Sequence, residues 1–211
     1  MKNILFDLDG TLVDSSPGIK AAFRYAFNKL QLSIPSDQAL TSLIGPPLET
    51  TFANILTNEK DVPEAITFFR EYYNAKGVHQ VSLYADIVNL LQQLKRKQGH
   101  LFVTTSKYEP MALLMLEELN VTHYFDAIYG SQPQRFKKGD ILKACLKEQS
   151  LSKSESVIIG DTKFDIVGGK SANIKTLGIT WGFGLEKDLK LSGADAICHQ
   201  PLDIIKTLKS L

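Results

Sequence analysis

Two aspartates, Asp7 and Asp9, close a short apolar run, Ile4-Leu5-Phe6, and are followed by Gly10-Thr11. On a straight strand the two acids would share one face. The glycine implies instead that the chain turns just after Asp7. Two carboxylates at a strand end repel each other unless a positive group lies between them, and a hard divalent cation such as Mg²⁺ prefers oxygen ligands. A solvated acidic loop would give the same short pattern. A second stretch argues against that: Val157-Ile158-Ile159-Gly160-Asp161 is again an apolar run ending at an acid, and Asp165 follows four residues later. In an open parallel sheet, ligands collect outside the carboxyl ends of the strands. Acids from two such strands would meet in one crevice, where repulsion raises their pKa values unless a metal compensates.

The elements that would position these acids can be read from periodicity. Short strands are expected at 3–6, 101–105, 127–129, 157–159, 175–179 and 195–198. Helical patterns separate the later ones: 86–98 carries Ile87, Leu90, Leu91 and Leu94 on one face with Gly99 as its stop, Pro110 opens another, and 140–148 and 202–208 follow. Strands alternating with such helices imply an α/β fold, a Rossmann-like parallel sheet with helices on both faces. Residues 16–81 break the alternation. Ser16 before Pro17 can cap a helix bearing Ile19, Phe23, Ala26, Phe27 and Leu30. Shorter helices from Ser36 and over 48–56 follow, and another from Pro63 carries Ile66, Phe69, Tyr72 and Tyr73. The expected organisation is a core of residues 1–15 and 82–211 with a small helical insert, 16–81, after the first strand.

Composition narrows the class. The chain has 211 residues, 44% of them hydrophobic, which suffices for one core and a small insert. With 24 basic against 23 acidic residues the net charge is +1, so nucleic acid and anionic membrane are not expected partners. Cys145 and Cys198 sit far apart in apolar segments and read as buried thiols of a reducing, cytoplasmic environment. No run of 18 apolar residues is present, and the N-terminal residues lead straight into a strand, so neither a membrane span nor a secretory leader is expected. Nothing in the sequence fixes the oligomeric state.

Together, Asp7-Leu8-Asp9-Gly10-Thr11, Thr105-Ser106-Lys107, a lysine near 138, and Gly160-Asp161-Thr162-Lys163-Phe164-Asp165 resemble the haloacid dehalogenase-like hydrolase superfamily, in its phosphatase branch. Ile44-Gly45-Pro46-Pro47-Leu48, Gly130-Ser131 and Gly178-Ile179-Thr180-Trp181-Gly182-Phe183-Gly184 are similar to the phosphoglycolate phosphatase-like subgroup. The resemblance implies a Mg²⁺-dependent phosphatase acting on a small phosphorylated metabolite. It makes Asp7 the nucleophile that forms an aspartyl-phosphate, Asp9 the general acid/base, and Asp7, Asp9 (through its backbone carbonyl) and Asp161 the metal ligands, with Asp165 behind them. Thr105 and Ser106 would bind the phosphoryl oxygens and Lys107 would lie in the following loop. Arg135-Phe136-Lys137-Lys138 fits the pattern that ends on the phosphate-binding lysine, which makes Lys138 that residue and Lys137 the alternative. Residues 16–81 would be the helical cap. Asn173 stands where related sequences place glycine, and the stretch before Lys138 lacks the subgroup's Leu-Asp-Gly. A 5′-nucleotidase or a sugar phosphomutase would carry the same motifs. A receiver-like signalling domain also phosphorylates a strand-end aspartate, but has no place for the insert.

Overall fold

The computed structural model describes residues 1–46 and 48–211; Pro47, within the stretch that resembles the subgroup, lies outside the described residues. The strands are β1 Asn3–Phe6, β2 Val13–Asp14, β3 Ser82–Leu83, β4 His100–Tyr108, β5 Ala127–Ser131, β6 Ser156–Gly160, β7 Lys175–Ile179 and β8 Ala196–Cys198. The helices are α1 Ser16–Lys29, α2 Asp37–Ser42, α3 Leu48–Ile55, α4 Val62–Ala75, α5 Ile87–Arg96, α6 Glu109–Glu118, α7 Lys138–Glu148, α8 Lys163–Ala172, α9 Glu186–Leu191 and α10 Asp203–Ser210. The chain divides into two compact units, 1–14 with 82–211, and 15–81.

In the first unit six parallel strands lie in the order β5-β4-β1-β6-β7-β8. β1 is central: the chain runs outward through β4 and β5 on one side, crosses back past β1 to β6, and runs outward again through β7 and β8 on the other. That reversal creates a crevice at the carboxyl ends, where ligands bind in sheets of this kind. All four residues of β1 are buried, because helices cover both faces. Leu5, Phe102 and Ile158 face one side and pack with Ile141, Leu142, Cys145 and Ala172 from α7 and α8. Ile4, Phe6, Val103 and Ile159 are also buried. Both cysteines are free and buried.

Local chemistry departs from the sequence reading at several points. The left-handed residue ending α5 is Gln98, at φ 57°, rather than Gly99. Ser15, not Ser16, is the N-cap position of α1, and no hydrogen bond from its side chain caps the helix. Ser36 does cap α2, its hydroxyl accepting from the Ala39 N–H at 3.2 Å. Asn173 takes the left-handed conformation at φ 57°, ψ 45°, a role asparagine fills with little strain. The two-residue antiparallel ribbon β2-β3 is too short to leave a periodic signal.

The second unit is a helical bundle. Phe23 and Phe27 of α1, Phe52 of α3, and Phe69 and Tyr73 of α4 form its buried centre. Phe69 stacks on Tyr73 and meets Phe23 edge-on at 4.8 Å. No described helix is long and apolar enough to cross a membrane.

Candidate active site

Asp7 follows the last residue of β1, and its N–H donates to the Ile159 carbonyl of β6 at 2.9 Å. The sheet ladder therefore fixes its backbone beside the end of β6, which Asp161 follows. Asp7, Asp161 and Asp165 each offer an oxygen within 4.8 Å of the others. Asp161 and Asp165 are fully buried and Asp7 is 8% exposed. Lys138, the first residue of α7, reaches into this group. Its Nζ lies 2.6 Å from Asp7 Oδ1 and 2.8 Å from Asp165 Oδ1, and donates to the Thr104 carbonyl at 2.8 Å. Lys137 is exposed. The Lys138 stem runs so close to α8 that a Cβ on Gly168 would sit 2.6 Å from its Cγ.

Asp165 has two further tasks that spacing alone did not reveal. Its Oδ2 accepts from the Thr162 N–H at 3.0 Å and the Thr162 hydroxyl at 2.8 Å. This is half of a capping box that starts α8. Asp165 thus joins the helix start to the lysine. Asp161 is held on its other side: Oδ1 accepts from Thr11 at 3.2 Å, and Oδ2 from the Phe183 N–H at 2.7 Å and the Gly184 N–H at 3.4 Å. The loop after β7 comes this near because Gly182 lacks a side chain; a Cβ there would lie 2.2 Å from the Gly10 carbonyl and 2.4 Å from Asp161 Cβ. The signal was present in Trp181-Gly182-Phe183-Gly184, but periodicity gave it no task. The Trp181 indole donates to the Thr11 carbonyl at 3.0 Å.

Asp9 points elsewhere. Both its oxygens accept from Lys107 Nζ, at 3.1 and 2.9 Å. The expected loop position of Lys107 is corrected by the structure: β4 continues to Tyr108, with a shift of register between Thr104 and Tyr108. Thr105 is buried, and its hydroxyl accepts from the Lys107 N–H at 3.1 Å. Ser106 is exposed. Glu109, which spacing did not single out, ties down the segment before Lys138. It accepts from the Gly130 N–H, from Gln132 Nε2 and from the Arg135 guanidinium, each at 2.9 Å.

The electrostatics follow from this packing. Burial pushes the Asp7 carboxyl up from 3.8 to about 6; Lys138 opposes the rise and Asp165 adds to it. Burial, then the neighbouring Asp165 and Asp7, push Asp161 up to about 8, against the pull of the Phe183 N–H. Burial alone would lower the Lys138 pKa, but Asp165 and Asp7 outweigh it and hold the ammonium above its usual value. With all three carboxylates ionised, the Lys138 ammonium would leave two negative charges uncompensated, and the raised values of Asp7 and Asp161 mean that protons take up part of that charge where no cation is bound. Tyr84 is raised by burial and by Asp14, Asp161 and Asp9, which places its phenol in the same acidic field.

A family profile described as haloacid dehalogenase-like hydrolase matches residues 4–179, from β1 to the end of β7. The chain belongs to this family. Among curated relatives of the hydrolase, tyrosine-protein kinase PtkA of Mycobacterium tuberculosis is 32% identical over 93% of this chain and 68% of its own length. A 5′-nucleotidase of Pseudomonas aeruginosa is 31% identical over 99% of this chain and 93% of its own. A phosphoglycolate phosphatase of Aquifex aeolicus is 32% identical over 99% and 97%. Among solved structures, a haloacid dehalogenase-like family hydrolase from Streptococcus pneumoniae superposes with a TM-score of 0.95 at 40% identity, covering 98% of each chain. The hydrolase is therefore an enzyme with an α/β core, and phosphoryl chemistry is common to the named activities of these three curated relatives.

Proposed function

We propose that the hydrolase is a divalent-metal-dependent phosphatase that cleaves small phosphomonoesters through an aspartyl-phosphate on Asp7. The observation that carries this reading is the buried group of Asp7, Asp161 and Asp165 around a single ammonium, Lys138. Carboxylate oxygens suit a hard cation, and a divalent one would match the two negative charges left once all three carboxylates ionise beside Lys138. Asp7, Asp161 and the Asp9 backbone carbonyl would hold Mg²⁺, while Asp165 is engaged by Lys138 and Thr162. When bound, the ion supplies positive charge to the phosphoryl oxygens and to the carboxylates.

In the first half-reaction an Asp7 carboxylate oxygen attacks phosphorus, and the bond from phosphorus to the leaving oxygen breaks. Asp9, protonated, gives its proton to that oxygen. Thr105 and Ser106 hold phosphoryl oxygens, and Lys138 balances the charge that concentrates there. In the second half-reaction water attacks phosphorus, Asp9 takes the water's proton, and the bond to Asp7 breaks to restore the carboxylate. Residues 16–81 act as the cap. A phosphoglycolate-like ester is the proposed substrate class, and a nucleotide monophosphate is the second, since relatives carry both names. A phosphate-release screen over phosphorylated metabolites, with and without Mg²⁺ and with Asp7→Asn as control, tests the reading. Release that needs Mg²⁺ and Asp7 supports it; a variant as active as the native protein would end it. Phosphate passed to a sugar or a tyrosine hydroxyl, without release, would make the enzyme a transferase.

A further inference from the structure

We propose that Lys107 is the residue that positions Asp9 for proton transfer. This rests on the acid/base reading of Asp9 given above. Three observations converge on it. Lys107 Nζ donates to both oxygens of one carboxylate, which fixes the carboxylate plane as well as its place. The pair is sheltered, with side-chain exposures of 8% for Lys107 and 21% for Asp9, unlike a solvated surface bridge whose partners exchange freely with water. The lysine backbone is itself held: the Thr105 hydroxyl accepts from its N–H, within the stretch where β4 slips register against β5. Irregularities of this kind re-aim side chains at strand ends near active sites.

The geometry matters because Asp9 lies at the start of a turn, residues 10–12. Gly10, at φ 80°, and the Gly10 N–H bond to the Val13 carbonyl set the backbone, but neither restrains the Asp9 side chain. Removing the Lys107 ammonium takes away two hydrogen bonds that hold the Asp9 carboxyl group, and a proton donor must lie within hydrogen-bond reach of the leaving oxygen to act. Lys107 thus serves both half-reactions: the proton that Asp9 gives to the leaving oxygen in the first, and the proton it takes from water in the second. Lys138 cannot substitute, since its ammonium is engaged by Asp7, Asp165 and Thr104.

The test compares native enzyme, Lys107→Met and Lys107→Arg on an alkyl phosphate and on p-nitrophenyl phosphate. The alkoxide needs a proton to depart and the nitrophenolate does not. Lys107→Met is expected to lower kcat/KM for the alkyl ester about 10- to 100-fold, part of the range for losing general acid catalysis, with little change for the aryl ester. The aryl ester should then show a rapid burst of nitrophenolate followed by slow turnover, because dephosphorylation still needs Asp9 as base. Arginine, whose fork also fits a carboxylate, should restore most of the alkyl activity. Equal losses on both esters without a burst, or no loss at all, would overturn the inference while leaving the phosphatase reading intact. Native enzyme that releases no phosphate from either ester would instead count against the phosphatase reading.

Discussion

Replacing Lys138 by methionine removes the one ammonium from the acid cluster while keeping the unbranched stem that packs beside Gly168. The change strands Asp7 Oδ1 and Asp165 Oδ1 among buried groups and removes the positive charge that offsets them. Removing one partner of a buried pair costs about 3–5 kcal/mol, and the lysine is only 7% exposed, so water screens little of it. The cost depends on pH. Asp7 already titrates at about 6 in the folded chain against 3.8 for the free residue, and loss of the lysine raises it further. A carboxyl raised on folding holds its proton longer in the native state. The stability this gives is present below pH 4 and is lost as pH rises through the folded value. Lys138→Met should therefore unfold at clearly lower urea concentration than the native chain at pH 8, with a smaller gap between the two midpoints at pH 4.5, followed by circular dichroism. Its phosphate release should fall by about 100-fold or more, the usual cost of losing a charge-stabilising group in a preorganised site. The exposed Lys137→Met should match the native chain in both assays. Equal midpoints for native and Lys138→Met at pH 8, or activity within a few-fold of native, would refute the assignment of Lys138.

Three further outcomes follow from the same site. Without metal, the native chain should lose stability between pH 4 and pH 8, because Asp7 and Asp161, raised to about 6 and about 8, must both ionise beside Asp165; Mg²⁺ should raise the melting temperature more at pH 8 than at pH 5, and an equal rise at both would contradict the charge argument. Asp9→Asn should lower kcat/KM for an alkyl phosphate more than for p-nitrophenyl phosphate, and equal losses would remove Asp9 from proton transfer to the leaving group. Hydrogen exchange in residues 16–81 and around Ser15-Ser16 and 78–82 should slow when Mg²⁺ and beryllium fluoride are added with a leaving-group analogue; unchanged exchange would count against the cap reading.

Asp7 and Asp161 were legible because each follows a run of buried strand residues, and a strand that stops at a charge announces its own end. Asn173 was legible for a related reason: the left-handed position after a helix admits few residue types. What escaped was set by tertiary approach. Glu109 looks like an ordinary acid in the first turn of α6, and only folding brings Gly130, Gln132 and Arg135 to it. The Phe183 and Gly184 N–H groups carry no side-chain chemistry, so their grip on Asp161 was hidden in a glycine pattern. The resemblance of Thr105-Ser106-Lys107 to the family motif puts Lys107 in a loop after the strand, whereas β4 continues and its pairing with β5 resumes at Tyr108. The spacing of Asp165 four residues after Asp161 was visible, but its hold on both Thr162 and Lys138 required the fold.

The central claim is a covalent phosphoryl group on Asp7, and chemical trapping tests it most directly. Enzyme turning over its preferred phosphomonoester with Mg²⁺ is quenched, reduced with borohydride and digested. Reduction converts an acyl phosphate on aspartate to homoserine, which peptide mass spectrometry can locate. The account predicts homoserine at position 7, with none at Asp9, Asp161 or Asp165 and none without substrate. Steady phosphate release with no modification at position 7, or modification at another aspartate, would contradict it.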